Sequence, residues 1–332
     1  MRGSLRLRIP CSSDEQEGHV SIDGEQHEVY GYNPVHRIYQ GWGEPAGFSG
    51  HFVLRYEEAP VAWEEKGQTV SLTFDAKKSH SIVFRMATSF TSREGAERNL
   101  QAEADGISFE QMEQRCLDLW TQRLHTIDID DPDTARVNQF YGALYRTSFL
   151  PREMSDCDGS YPKFGPPLPS KGERIVPGKQ EGAVRYGDFS LWDTYRALHP
   201  LLCIIAPKES AEMMQSLVGM AQEGGWMPIF PCWNSYTAAM IGDHAASVLA
   251  DAYVKGIRDF EASAAYRFLR QNAFKKPHSI EEYRNGMGRR ALDSYLKYGY
   301  IPLEDSVKEA FHQQEQTSRT LEYAYDDFCV AQ

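Results

Sequence analysis

At Ser92 the hydrophobic pattern of the chain changes period, and that change limits the fold more than any other feature of its 332 residues. Before it, "HVSIDGEQHEVYGYN", "FSGHFVLRYEEA", "QTVSLTFDAK" and "HSIVFRMATSF" are short, rich in β-branched and aromatic residues, and separated by Gly, Pro and Lys turns. This is the pattern of an antiparallel sandwich. In "VSLTFDA", Val70, Leu72 and Phe74 share one face while Ser71, Thr73 and Asp75 share the other, as a sheet with one dry face requires. After Ser92, "SREGAERNLQAEADGISFEQMEQRCLDLWTQRLHTI" is rich in helix formers, with Gly106 as its break. From Asp133 onward about seven amphipathic stretches follow. Strands first and helices second imply two segregated parts, not a βαβ sheet. The expected fold class is α+β and multidomain: an N-terminal antiparallel β-sandwich in residues 1–92, a helical linker in 93–132 and a helical domain in 133–332. One loop, residues 152–188, is far longer than a connection needs to be, and loops of that length are functional or disordered.

Several function classes drop out. A formal net charge of -12 and a pI near 5.4 argue against neutralising phosphates or lying on anionic lipid, so neither nucleic acid nor membrane is an expected partner. No stretch has the length of a transmembrane helix, and the opening residues lack the apolar core of a signal peptide. The chain therefore reads as soluble, with its compartment open. Cys11, Cys116, Cys157, Cys203, Cys232 and Cys329 form no C-x-x-C, which disfavours zinc and dithiol redox sites. "GFSGH" at 47–51 misses the nucleophile-elbow spacing, and H-E-x-x-H, P-loop and post-strand G-x-G-x-x-G motifs are missing.

Two stretches carry more chemistry than packing requires. In "GDFSLWDTYRALHPLL", Ser190 caps an expected helix with Asp193 at capping-box spacing, and Leu191, Tyr195, Leu198 and Leu202 form its core stripe. Trp192, Arg196 and His199 then line a second face, with Asp193 spaced to pair with Arg196. A flat indole beside a carboxylate and a guanidinium suits a sugar, whose C–H face stacks and whose hydroxyls take bidentate bonds. From local features alone, a capped helix with surface ion pairs is the simpler reading of the same residues. In "GGWMPIFPCWNSYTAAMIGDHAASVLADAYVKGI", Ile241, Ala245, Val248 and Ala252 form the stripe of a helix ending near Gly256, and Asp243 points away from it. Trp226, Trp233, Asn234 and Tyr236 crowd the preceding loop, either as stacking partners or as a buried plug. Asp326 and Asp327 of "YDDF" read as a solvated helix end.

"FSLWDTYRALHPLL", "GWMPIFPCWNSYTAAMIGDHAASVLADAYVKGI", "FYGALYRTSFLPREMSDCDGSYPKF" and "PAGFSGHFVLRY" resemble glycoside hydrolase family 92, the exo-acting α-mannosidases, in order across about residues 30–330. The resemblance implies a β-sandwich joined by helical linkers to an (α/α)6 toroid, and hydrolysis of terminal α-mannosides of N-glycans with inversion and dependence on calcium. It places Trp192, Asp193 and Arg196 facing a mannose-containing glycan, with Asn234 and Asp243 near it. The family's blocks for the general acid and base, similar to "EGNAWQY" and "NDDxGxMSAW", have no counterpart in these residues, so no catalytic residue is assigned. About seven helices cannot close a ring of twelve, and four or five legible strands fall short of a full sandwich. The chain is thus expected to be inactive alone and to self-associate through uncovered helix faces. Two other readings remain: a non-catalytic carbohydrate-binding or interaction module, and a different toroid glycosidase using Asp193 and Asp243 as acid and base.

Overall fold

The computed structural model describes residues 2–8, 18–78, 80–165, 174–179 and 182–332. Seven strands come first: β1 (Arg2–Arg8), β2 (His19–Asp23), β3 (Glu28–His36), β4 (Pro45–Tyr56), β5 (Ala62–Lys66), β6 (Thr69–Asp75) and β7 (Phe84–Ser89). They form two antiparallel sheets, ordered β1-β6-β5 and β2-β3-β4-β7. β1 lies ahead of the region that alternation marks as strand, and it pairs with β6 along its whole length. Val70, Leu72 and Phe74 of β6 are buried in one cluster with Val20, Val29, Leu54 and Tyr56 of the other sheet. The period-2 face read from the sequence is thus the surface that joins the two sheets.

Helix α1 (Arg93–Glu103) begins where Ser92 accepts the Gly95 N–H at 3.0 Å. It packs against the four-stranded sheet through Ala96 and Leu100, which meet Val53. Gly106, with φ +71, separates it from α2 (Phe109–Leu124), which opens with a reciprocal Ser108/Gln111 capping box. Asp133 caps α3 (Thr134–Arg146). The described residues of the long loop that follows form four two-residue strands, β8 (Arg152–Glu153), β9 (Tyr161–Pro162), β10 (Ile175–Val176) and β11 (Tyr186–Gly187), paired β8 with β11 and β9 with β10.

The helical part continues with α4 (Leu191–Thr194), α5 (Leu198–Ile205), α6 (Pro207–Gly224), α7 (Ala245–Val254), α8 (Ala262–Phe274), α9 (Ile280–Arg284), α10 (Leu292–Tyr298) and α11 (Gln316–Ala331). Its core is centred on Met214, Leu217, Val218 and Ala221 of α6 against Val248, Leu249 and Ala252 of α7. Among the described residues no helix is long and apolar enough to cross a membrane.

Arg37, at the end of β3, ties the strand part to the helical part. Its buried guanidinium donates to Glu44 and Asn285 Oδ1, each at 2.9 Å, and to the Tyr236 carbonyl at 3.3 Å. Removing Arg37 would leave the Tyr236 and Asn285 acceptors at that junction without their shared donor.

Two helices differ from the sequence expectation. Residues 190–202 do not form one helix: the backbone leaves the helical region at Ala197, φ −145, between α4 and α5. Pro200 is the reason, because in an unbroken helix its ring would clash with the Arg196 carbonyl and it has no N–H to bond it. Starting a new helix at Leu198 moves Pro200 into a first turn, where it is tolerated. Likewise α7 begins at Ala245 and not near Ile241, since Met240 and Gly242 are held at φ +63 and +87.

Candidate functional site

Leu191 and Thr194 turn into the core, leaving Asp193 exposed and Trp192 half-buried between them. Trp192 lies half-buried on an apolar floor of Ile229, Phe230, Ala239, Cys232, Met240 and Tyr39. Its indole Nε1 is buried without a hydrogen-bond partner among the described residues. Asp193 is exposed. Its Oδ2 accepts the Ser190 hydroxyl at 2.9 Å, and Ser190 makes no side-chain bond to a backbone N–H. The expected capping box is therefore replaced by a side-chain pair that fixes Asp193.

Arg196 does not pair with Asp193. Its guanidinium lies 5.0 Å from the Trp192 ring centre and 4.7 Å from that of Tyr195, and donates to Glu322 Oε1 at 3.1 Å. The Tyr195 hydroxyl donates to Glu322 Oε2 at 3.1 Å, so both oxygens of that carboxylate are engaged. Burial first, then the Glu322 charge, push the Tyr195 phenol up to about 12. The Tyr195 ring stacks on His244 at 4.0 Å, and His244 Nδ1 lies 3.0 Å from Asp326 Oδ1. The Trp192 face is thus fastened to α11 through Glu322 and Asp326.

Asn234 and Asp243 differ from the expectation that they face a sugar. Asn234 is buried and donates from Nδ2 to the carbonyls of Pro162 and Lys163, at 2.9 and 3.0 Å. Asp243 is wholly buried: Oδ2 accepts Arg289 Nε at 2.9 Å, Oδ1 accepts Asn272 Nδ2 at 3.1 Å, and its own N–H donates to Asp326 Oδ2 at 2.6 Å. Desolvation raises its carboxyl above the ordinary aspartate range, against the pull of Arg289. A group so enclosed cannot reach a ligand without breaking the core, and it frames the site from behind.

Asp326 is also not a solvated helix end, being completely buried, while Asp327 takes Arg289 Nη1 at 2.7 Å and the Tyr295 hydroxyl at 2.9 Å. No local pattern marks Asp326 or Arg289, because their partners lie far away in sequence. Asp188 was also not singled out by its spacing. It accepts the Trp233 N–H at 2.7 Å and sits 3.6 Å from Arg152, and burial raises its carboxyl above the ordinary range. Asp188, Trp233, Asn234 and Met240 all hold positive φ, from +47 to +63. Backbone strain of this kind persists where surrounding contacts over-determine it, and it clusters at binding sites. Here it borders the floor beneath Trp192.

Among the described residues no three His, Cys, Asp or Glu side chains group so as to hold a metal ion. Asp243 and Asp327 converge, but on the Arg289 guanidinium.

The family model for the glycosyl hydrolase family 92 catalytic domain matches residues 95–332. The chain belongs to glycosyl hydrolase family 92. It is 26% identical over 258 residues to an uncharacterized secreted glycosidase of Arthroderma benhamiae, covering 74% of this chain and 27% of that protein. The family GH92 inverting mannosidase BT2199 of Bacteroides thetaiotaomicron superposes with a TM-score of 0.77 at 25% identity, over 95% of this chain and 42% of the other. The family GH92 α-mannosidase BT3965 of the same organism, in complex with mannoimidazole, gives 0.74 at 25% identity, over 95% and 40%. The family 92 chain described here therefore spans well under half the length of these relatives.

Proposed function

We propose that these residues build the mannose-binding side of an inverting α-mannosidase site, the strand part acting as a β-sandwich and the helical part as an arc of an (α/α)6 toroid. The substrate class is a glycan ending in α-mannose, as in N-glycans. One observation carries the reading. In a member of this family, half-buried Trp192 rests on an apolar floor with exposed Asp193 beside it in α4, and Arg196 lies 5.0 Å from the indole centre, held in place by Glu322. A sugar C–H face would lie against the exposed part of the indole, and the unshared Asp193 oxygen would accept a hydroxyl. Asn234 and Asp243 hold the loop and helix behind that face and do not touch the sugar.

Inverting hydrolysis needs one carboxyl to protonate the leaving oxygen and another to activate water, about 6.5–9.5 Å apart. Asp243 and Asp326 are buried, and both Glu322 oxygens are engaged by Arg196 and Tyr195. By themselves, then, these residues bind and orient mannose without turning it over.

Calorimetric titration of the purified chain with methyl α-mannoside tests the binding. Saturable heat that disappears in Trp192→Ala, with the unfolding transition retained, is the expected result; a folded chain that takes up no mannoside removes the proposal. An aryl α-mannoside assay with added calcium tests the second half, where release of the aryl group by this polypeptide alone would show that an acid and a base had been misplaced.

A further inference from the structure

The two ends of the long loop meet in the β8/β11 ribbon, where Tyr186 lies directly opposite Glu153. Opposed residues of an antiparallel pair point to the same face, with Cβ atoms about 4.5–5.5 Å apart, so a phenol ring and a carboxylate stand side by side. Both line an open cleft of about 690 Å³. The linker supplies two more rings to it, Trp120 near the end of α2 and Phe149 just after α3. Tyr145 fixes these two relative to each other, its ring centre lying 4.4 Å from that of Trp120 and 4.8 Å, edge-on, from that of Phe149. Buried Leu202 of α5 and Met213 of α6 complete the apolar lining.

The cations on the cleft walls are already committed. Arg123 donates to Glu209 at 2.9 Å and to the Ser148 hydroxyl at 3.2 Å. Arg152 sits 3.6 Å from Asp188, with its guanidinium 5.0 Å from the Trp233 ring centre. Glu153 differs from them: its carboxylate has no ion pair and no hydrogen bond to another described residue. The charges that act on it are negative. Desolvation first, then Glu103 and Glu212, raise its carboxyl above the ordinary glutamate range, although Lys208 stands 3.8 Å from Glu212. Burial first, then the charges of Glu209, Glu212 and Glu153, raise the Tyr186 phenol, so its ring stays neutral. The cleft therefore sets an uncompensated carboxylate beside three aromatic rings.

Aromatic faces attract a cation through their quadrupoles, and the unpaired carboxylate adds a full opposite charge. A primary ammonium brings three N–H donors that each need an acceptor, and a wall made mostly of rings and aliphatic chains serves them poorly. A quaternary ammonium has no N–H to satisfy and turns methyl groups to its surroundings. We propose that this cleft binds a quaternary ammonium compound, its methyl groups against Trp120, Phe149 and Tyr186 and its charge against Glu153. The long loop then has a ligand of its own, which accounts for a length that no connection requires. This site is independent of the mannose reading of the α4 face.

The test is titration calorimetry of the full chain with choline, with its uncharged carbon isostere, in which a tert-butyl group replaces the trimethylammonium, and with ethanolamine. Choline is expected to bind saturably and each of the others about tenfold more weakly, since one lacks the charge and the other must shed water from its N–H groups. Glu153→Gln should weaken choline binding about tenfold, and Phe149→Ala should weaken it in the same direction. Glu153 is exposed and Phe149 is 51% exposed, so both variants should keep the parent's unfolding transition; should Glu153→Gln melt early, Phe149→Ala alone is used and must reduce the affinity. No saturable uptake of choline, equal affinity for the three compounds, or choline binding undiminished in a folded variant overturns the site. None of these outcomes bears on methyl mannoside binding at Trp192.

Discussion

Arg289 Nε lies 2.9 Å from Asp243 Oδ2, with both side chains shut away from water. The same guanidinium reaches Asp327 on α11 at 2.7 Å, so one cation joins the entry to α7 with the C-terminal helix. A buried pair of this kind adds little when compared with an apolar substitute, but stranding one partner is costly. Arg289→Met should therefore destabilise the chain by about 3–5 kcal/mol, because Asp243 is left buried without its cation. Asp243→Asn/Arg289→Met should recover part of that loss. Denaturant unfolding of the three proteins checks both statements, and a double variant less stable than Arg289→Met would contradict them.

Asp326 accepts from Asp243 N–H and lies against His244 Nδ1, at 2.6 and 3.0 Å, and thereby docks α11. Asp326→Asn keeps the size but turns an amide donor toward one of those donors. The loss should be at least about 2 kcal/mol, since a buried partner goes unsatisfied. Because Glu322 on the same helix holds Arg196, the variant should also weaken methyl mannoside binding. Unfolding and titration on the same preparation would check this, and loss of stability with undiminished affinity would separate α11 from the site.

His199 is enclosed and stacks on Phe189 at 5.9 Å, and burial lowers its imidazole to about 4 from an ordinary 6.5. The folded chain keeps it neutral, while the unfolded chain binds a proton below about 6.5. Stability is therefore lost as pH falls from about 6.5 toward 4, by roughly 3 kcal/mol from this residue. His199→Gln should flatten the acid limb of the stability profile in that window relative to the parent. Parallel limbs in urea titrations from pH 7 to 4 would refute the assignment.

The strand part was readable because a half-buried strand writes its burial into alternate residues, as Val70, Leu72 and Phe74 do. Trp192 and Asp193 drew attention in the sequence because they lie off the leucine stripe of their own segment; in the fold Trp192 packs on the Ile229/Phe230 cluster and Asp193 is exposed. Pro200 was an available signal for the break between α4 and α5, outweighed by a leucine stripe that continues across it. What sequence could not supply was the interior of the site. Asp243, Asp326 and Arg289 have ordinary surface-compatible contexts in sequence, and they become a buried network only when α11 meets α7, after a separation of 82 residues between His244 and Asp326. Asn234, which the family resemblance sets near the sugar, stands in a left-handed backbone with Trp233 and has its amide turned inward onto two carbonyls.

Leu321, Tyr325 and Phe328 stand at i, i+4 and i+7 on α11 and are 68%, 43% and 60% exposed. That spacing is the apolar stripe of a helix meant to be covered, and Tyr253 and Tyr266 on α7 and α8 extend the uncovered surface. Burying such side chains is favourable by about 1.5–3 kcal/mol each, whereas the net charge of -12 opposes bringing two copies together. Salt screens that repulsion and leaves the apolar gain intact. A polypeptide of these residues should accordingly associate with concentration, and more strongly at 0.5 M than at about 0.05 M salt, where the screening length is longer. Leu321→Lys/Phe328→Lys should return it to a monomer in both. Sedimentation velocity over a concentration series decides the matter: a single monomeric boundary for the parent at high salt would mean that the α11 stripe does not drive association.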